Sequence, residues 1–151
     1  MAFKVLAGLA LAVGVGVLPP ATRASKSAPD LVGRWSTPGG DTVEFGSCAN
    51  QLADTLICAR IVALRDPASS DRRDTRNPAA ALRRRPIIGL EIVRALRASS
   101  PGVWTGGELC NPDDGRTYRG ASRMRGRDSL ELQGCALVVI CQVQTWRRSG
   151  S

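Results

Sequence analysis

The 151-residue chain has no histidine, one tyrosine, two phenylalanines and three tryptophans, and Lys4 and Lys26 are its only lysines. Without histidine, Ser–His–Asp and Cys–His nucleophilic centres are excluded. The most frequent metal ligand and the usual acid–base group near neutral pH are also gone. Lys26 stands near the start of the expected mature chain, where termini fray, so a lysine nucleophile has no fixed setting. The apolar run Val5 to Leu18 is fourteen residues long, short of the about 20 that a spanning helix needs. No helix is expected after Gly39-Gly40 or Gly106-Gly107, so neither reads as a phosphate loop; both fit tight turns or bulges.

What is present begins with export. Lys4 gives a positive start, Val5 to Leu18 an apolar centre, Pro19-Pro20 a break, and Ala21-Thr22-Arg23-Ala24 small residues for cleavage. This is the pattern of a secretory signal, and it predicts a signal peptide over 1–24 and a single domain over 25–151. No cysteine adjoins the cleavage point and no arginine pair precedes the apolar run. A general secretion route to the periplasm or exterior of a Gram-negative-type cell therefore fits better than lipidation or twin-arginine export. Loss of Lys4 and Arg23 lowers the formal charge of +8 to +6, almost all of it arginine. An exported basic protein meets anionic envelope lipid and polymer rather than chromosomes, so nucleic acid is not an expected partner.

The rest breaks into short apolar runs between Gly, Pro, Asn and Asp. Leu31 to Ser36 reads as a strand and Thr37 to Asp41 as its turn; Thr42 to Gly46 alternates, with Val43 and Phe45 on one face. Leu56 to Arg65 is β-rich. Thr117 to Arg125 sets Tyr118, Ser122 and Met124 against Arg119, Arg123 and Arg125, and Leu130 and Leu132 oppose Ser129 and Glu131. Leu137 to Arg148 reads as a closing strand with Leu137, Val139, Cys141 and Val143 facing inward. Alternation with one wet face is an antiparallel habit, and about eight such strands predict a barrel or a sandwich. Leu82 to Arg97 tolerates a helix, weakened by Pro86 and Gly89. Asp66 to Arg85 reads as a polar surface connection that wraps the domain or caps one end.

Five cysteines in an exported chain read as staples. Local spacing pairs Cys48 with Cys58 and Cys135 with Cys141, each worth about 2–3 kcal/mol, although sequence alone also admits cross-pairing between the two regions. Cys110 is left over and reads as a small buried hydrophobe. The spacing suits no metal site, so neither metal nor cofactor is expected. Asp113-Asp114 is the one carboxylate pair, but Asn111-Pro112-Asp113-Asp114-Gly115 is turn chemistry, and Glu44, Glu91, Glu108 and Glu131 fall singly. No catalytic residue is assigned and no enzymatic activity is expected.

Several segments taken in order resemble a bacterial exported family, the domain of unknown function 2147. They are Gly33-Arg34-Trp35; Cys48 to Cys58 continuing as Ile61-Val62-Ala63-Leu64; Asn77-Pro78; Leu82 to Leu90; and Trp104 to Gly107. Asn111 to Tyr118 and Gly134-Cys135 through Trp146-Arg147-Arg148 complete the set. Ala59, Ala63 and Cys110 stand where that family tends to carry glycine, an aromatic and tyrosine. The resemblance implies an all-β, lipocalin-like (calycin-type) antiparallel barrel of about eight strands. It further implies that Trp35 is stacked on by Arg147 or Arg148 to close the barrel, a cation–π contact worth about 0.5–2 kcal/mol. In such a barrel Val43, Phe45, Tyr118, Met124, Leu130, Leu132, Val139 and Val143 would line the interior, which side chains fill or one small ligand occupies. The leading expectation is a non-catalytic binder of a small apolar or amphipathic molecule. The rival is an envelope interaction module in which Arg83, Arg84 and Arg85 contact anionic lipid, polymer or a protein partner.

Overall fold

A computed structural model describes residues 30–49 and 55–150; the expected signal segment 1–24 and its cleavage point lie outside the described residues. Eight strands follow one another: β1 (Gly33–Ser36), β2 (Thr42–Ser47), β3 (Leu56–Ala63), β4 (Glu91–Ser100), β5 (Val103–Asn111), β6 (Arg116–Met124), β7 (Ser129–Cys135) and β8 (Cys141–Arg148). Each pairs antiparallel with the next, and β8 returns to β1 through Trp35↔Arg148 and Ser36↔Arg147, closing the barrel. The two-residue period explains the pairing. Val43 and Phe45, Ser122 and Met124, and Leu130 and Leu132 are buried, while Arg119 and Arg123 face water. Trp35, Val43, Phe45, Ile61, Val93, Leu96, Leu130 and Trp146 pack into one core, with Phe45 edge-on to Trp146 at 6.1 Å.

Glycine at in-register positions shapes one wall. Gly107 pairs with Gly120, and Gly120 with Gly134. A Cβ at Gly107 would lie 2.8 Å from Leu96 Cδ2, and one at Gly120 2.9 Å from Leu109 Cγ. The bare stripe lets Leu96 and Leu109 lie flat across three strands. On β4, Ala95 takes φ 55° where the β3–β4 register shifts, a bulge that bends the wall.

The stretch tolerant of a helix is not one. A 3₁₀ turn at Ala80–Leu82 ends where the stretch begins, and from Glu91 the stretch is strand β4, because Pro86 cannot donate and Gly89 takes φ +85°. Ile87 and Leu90 then tuck into the core, held by Gly89 N–H to the Ile61 carbonyl at 2.7 Å and Ile61 N–H to that of Leu90 at 3.0 Å.

The closing strand also differs from expectation. It starts at Cys141, not Leu137, and Cys135 pairs with Cys141 across a hairpin turn. Trp146 is its buried residue, so Gln142, Gln144 and Arg148 share the inward-facing side and Val143 is on the other. Val139 and Val143 therefore do not line the interior: they are 85% and 55% exposed. Leu137, likewise expected inside, is 65% exposed.

Candidate functional site

The up-and-down order sorts the connections into two ends. One end carries the chain start at Asp30 to Val32, the β4–β5 and β6–β7 turns and the end of β8. There Arg148 stands over the Trp35 ring, its guanidinium carbon 4.2 Å from the centroid. It also donates to the carbonyls of Asp30 (2.7 Å), Arg127 (2.9 Å) and Val32 (3.2 Å), and Trp35 Nε1–H donates to the Leu31 carbonyl at 2.9 Å. Gly33, with φ +124°, leaves the guanidinium its room, since a Cβ there would sit 3.0 Å from an Arg148 terminal nitrogen. The Gly-x-Trp pattern thus serves both a backbone angle and an arginine. Of the two arginines considered, Arg148 takes the stacking position; Arg147 points to solvent.

At the opposite end lie the turns 37–41 and 112–115, the long connection 64–90 and the hairpin 136–140. The connection is built around Asp74, 2% exposed. Its carboxylate accepts from two nitrogens of Arg85, both at 2.8 Å, and from Asn77 Nδ2 at 2.8 Å. A bridge between Arg73 and Pro86 closes the connection on itself, and Arg72 grips Asp113 at 2.7 Å, tying it to the β5–β6 turn. Gly115 is where they touch: a Cβ there would fall 1.9 Å from the Arg76 carbonyl oxygen.

The arginine triplet is consequently divided. Arg85 is committed to Asp74, and Arg83 donates to the carbonyl of Asn77 at 2.8 Å, so both hold the connection together. Arg83 and Arg84 are both exposed, Arg85 only in part. An arginine beside its own chain's carbonyls satisfies them first, and adjacency in sequence did not make a shared anion grip.

Between the connection and the outer wall of β4–β6 runs a crevice of about 200 Å³, lined by Leu82, Leu90, Pro112, Arg85, Arg94 and Arg116 among others. Three arginines face it against one aspartate, Asp74. Arg94 and Arg116, which sequence reasoning passed over, carry no local signal: Arg94 lies between the buried Val93 and Leu96 of β4, Arg116 stands exposed at the first position of β6, and the draped connection brings both into one crevice. A second depression, about 270 Å³, lies beside β2 and includes Phe45, Cys58 and Arg60. Val43, Phe45, Met124, Leu130 and Leu132 are buried within the core cluster, where their neighbours fill the space around them.

Tyr118 is half-buried at the rim, its hydroxyl donating to Asp114. That bond holds the phenol above its ordinary range, with desolvation and the aspartate's charge adding to it. Desolvation pushes the Asp114 carboxyl up, but the Tyr118 hydroxyl, the Arg116 N–H and charge, and Asn111 together bring it below the ordinary value. Asp113 and Asp114 thus serve the turn and its attachment to the connection. Disulfides join Cys48 to Cys58 and Cys135 to Cys141. Cys110 is a free, partly exposed thiol facing Thr117 Oγ1 at 3.7 Å, not the buried hydrophobe expected. Among the described residues no cluster of acidic residues and cysteines suits a metal ion, and no helix is long and apolar enough to cross a membrane. Two disulfides are consistent with an oxidising compartment.

The comparisons agree with this architecture. The solved structure of protein HP1028 from the human pathogen Helicobacter pylori, described as belonging to the lipocalin family, superposes with a TM-score of 0.70 at 22% identity, covering 81% of this chain and 84% of that one. At that identity the likeness is one of fold: a lipocalin-like barrel. No curated protein matches the chain. A family described as an uncharacterized protein conserved in bacteria (DUF2147) matches residues 33–148, from the glycine that opens β1 to the arginine that closes the barrel, and the chain belongs to that family.

Proposed function

We propose that this chain is a non-catalytic periplasmic or secreted binder of a small amphipathic anion, held in the crevice beneath the 64–90 connection. The carrying observation is the lining itself: Leu82, Leu90 and Pro112 offer apolar contact beside Arg85, Arg94 and Arg116. A small carboxylate or phosphate ester with a short apolar body suits that mixture. The packed core turns the binding surface away from the interior and towards the rim. Arg116 is exposed and able to meet a ligand without first leaving a buried partner.

Octanoate and its uncharged counterpart octanol make the test, with amide chemical shifts as the readout. Octanoate should shift residues around Leu82, Cys110 and Arg116 and bind about tenfold more weakly to Arg116→Glu, as expected for loss of one charge-assisted contact. Equal binding of octanol, or shifts confined elsewhere, would overturn the proposal. Native mass spectrometry of protein released from the periplasm then asks whether a resident ligand leaves on unfolding.

A second reading, contact with anionic envelope lipid, is supported by how charge is distributed. The connections 37–41, 64–90, 112–115 and 136–140 hold seven arginines against six aspartates, with Arg116 and Arg119 on the adjoining start of β6. At the latch end the described connections hold two of each. The end that carries 64–90 thus gathers most of the loop arginines, which an anionic surface attracts.

A further inference from the structure

We infer that the β7–β8 hairpin is a membrane-docking tip, whose Leu137, Val138, Val139 and Ile140 enter the interfacial region of an anionic bilayer while neighbouring arginines meet lipid phosphates. The inference rests on the second reading above and supplies the anchor that reading lacked.

Four consecutive large apolar residues stand in water at the tip: Leu137, Val138, Val139 and Ile140 are 65%, 84%, 85% and 58% exposed, and Val143 behind them is 55% exposed. Scattered surface apolar residues are ordinary, but a contiguous group at a protrusion is not. The tip is also held in shape. The Cys135–Cys141 disulfide closes its base and Ala136 N–H donates to the Ile140 carbonyl at 2.8 Å, so the apolar side chains cannot fold back onto the barrel. Strand β8 meets β1 only at Arg147 and Arg148, which leaves Cys141 to Thr145 partnered by β7 alone and lets the hairpin stand clear of that seam.

Charge decides what covers the tip. Arg119 pairs in register with Cys135 at the hairpin base, Arg116 is exposed three residues earlier at the start of β6, and Arg84 is exposed on the connection at that end. Of the acidic groups near it, Asp113 is engaged by Arg72 and Asp114 by the Tyr118 hydroxyl and the Arg116 backbone N–H, while Glu108 stands in register with Arg119. An apolar tip with exposed arginines at the same end complements an anionic lipid surface, where aliphatic side chains sit below the headgroups and guanidinium groups hold phosphates. Self-association through β-pairing would instead want an uncharged rim.

The test is co-flotation of the disulfide-intact protein with phosphatidylcholine vesicles, with and without phosphatidylglycerol. The native chain should float with phosphatidylglycerol vesicles, and Val138→Asp/Val139→Asp should reduce its partitioning at least about tenfold, given the loss of two apolar side chains to the interface. Near-ultraviolet circular dichroism checks that the variant keeps its barrel. In a Val138→Trp variant, tryptophan emission should shift to the blue on vesicle addition. If the aspartate variant floats as well as the native chain and Arg84→Glu/Arg116→Glu does not, the arginine-rich reading stands and the apolar anchor is refuted. If the native chain floats with neither vesicle, both are refuted. A dimer that the aspartate variant dissolves, without vesicle binding, would assign the tip to a second copy and overturn the lipid proposal.

Discussion

The closure at Trp35 lends itself to a double-mutant cycle, because Gly33 and Arg148 occupy one space. Arg148→Ala removes the stacking on Trp35, worth about 0.5–2 kcal/mol. It also removes three bonds to the carbonyls of Asp30, Val32 and Arg127. The Arg148 side chain is 29% exposed, so water replaces part of each bond and about 0.5–1 kcal/mol apiece is a suitable figure. The expected loss is about 2–5 kcal/mol. Gly33→Ala forces a side chain onto φ +124° and pushes a Cβ to 3.0 Å from the guanidinium, for a loss of about 1–3 kcal/mol. Once alanine has displaced the arginine, deleting the arginine takes away less. The double variant should thus be more stable than the sum of the singles predicts, by about 0.5–1 kcal/mol. Urea unfolding followed by tryptophan fluorescence measures all four corners, with Arg147→Ala, at an exposed position, expected within about 0.5 kcal/mol of the native chain. Strict additivity would show that Arg148 does not press on Gly33. An Arg148→Ala loss no larger than that of Arg147→Ala would show that the stacked arginine contributes nothing to closure.

Three further outcomes follow from the rim and the core. Tyr118 is the chain's single tyrosine, so its phenol titrates without interference in ultraviolet absorbance. Its ionisation should fall above the ordinary value near about 10 and return towards it in Asp114→Asn. Because the folded phenol is raised, its bond contributes stability that is complete below the ordinary tyrosine value and lost as pH rises through the shifted one. The lowered Asp114 contributes stability present above the ordinary aspartate value and lost as pH falls through its own. Asp74→Ala removes the buried acceptor of Arg85 and Asn77 and should lower stability by about 2–4 kcal/mol, less than a fully buried pair because Arg85 rehydrates. Faster proteolysis within 64–90 is the accompanying sign, and its absence would mean that the connection is held by Ile87 and Leu90 alone. Ser122 Oγ is buried with no hydrogen-bond partner among the described residues, so Ser122→Ala should be neutral or stabilising by up to about 1 kcal/mol in thermal unfolding.

The barrel was legible because alternation is a local signal. Val43 and Phe45, Leu130 and Leu132, and Ser122 and Met124 each declare an inner face within a few residues, and the hairpin turns between them contain their own Pro, Gly and Asp. The crevice was not legible, since Arg94, Arg116 and Leu82 are brought together by a connection whose path depends on Asp74 and Arg85 meeting across eleven positions. A buried aspartate in a charged loop looks the same in sequence as a solvated one.

Strand β8 shows a different failure, and one that the sequence held the means to avoid. Residues two apart share a face of a strand. If Arg148 reaches the Trp35 ring, then Trp146, Gln144 and Gln142 lie on its side and Val143 cannot. Arg147 as the stacking residue agrees with Val143 inside, whereas Arg148 does not, so the position of the arginine decides the parity of the strand. Hydrophobicity favoured the valines, but a buried tryptophan outweighs them: Trp146 fills space against Phe45 that no valine reaches. The valines are left on the wet side, and the disulfide at Cys135–Cys141 turns the chain before Leu137 and Val139 can join a ladder. The same one-residue parity that removes Val143 from the interior exposes the apolar tip. Its exposure thus follows from the demands of the closing strand, and the staple and the flanking arginines are what make the exposed tip fit for a lipid surface.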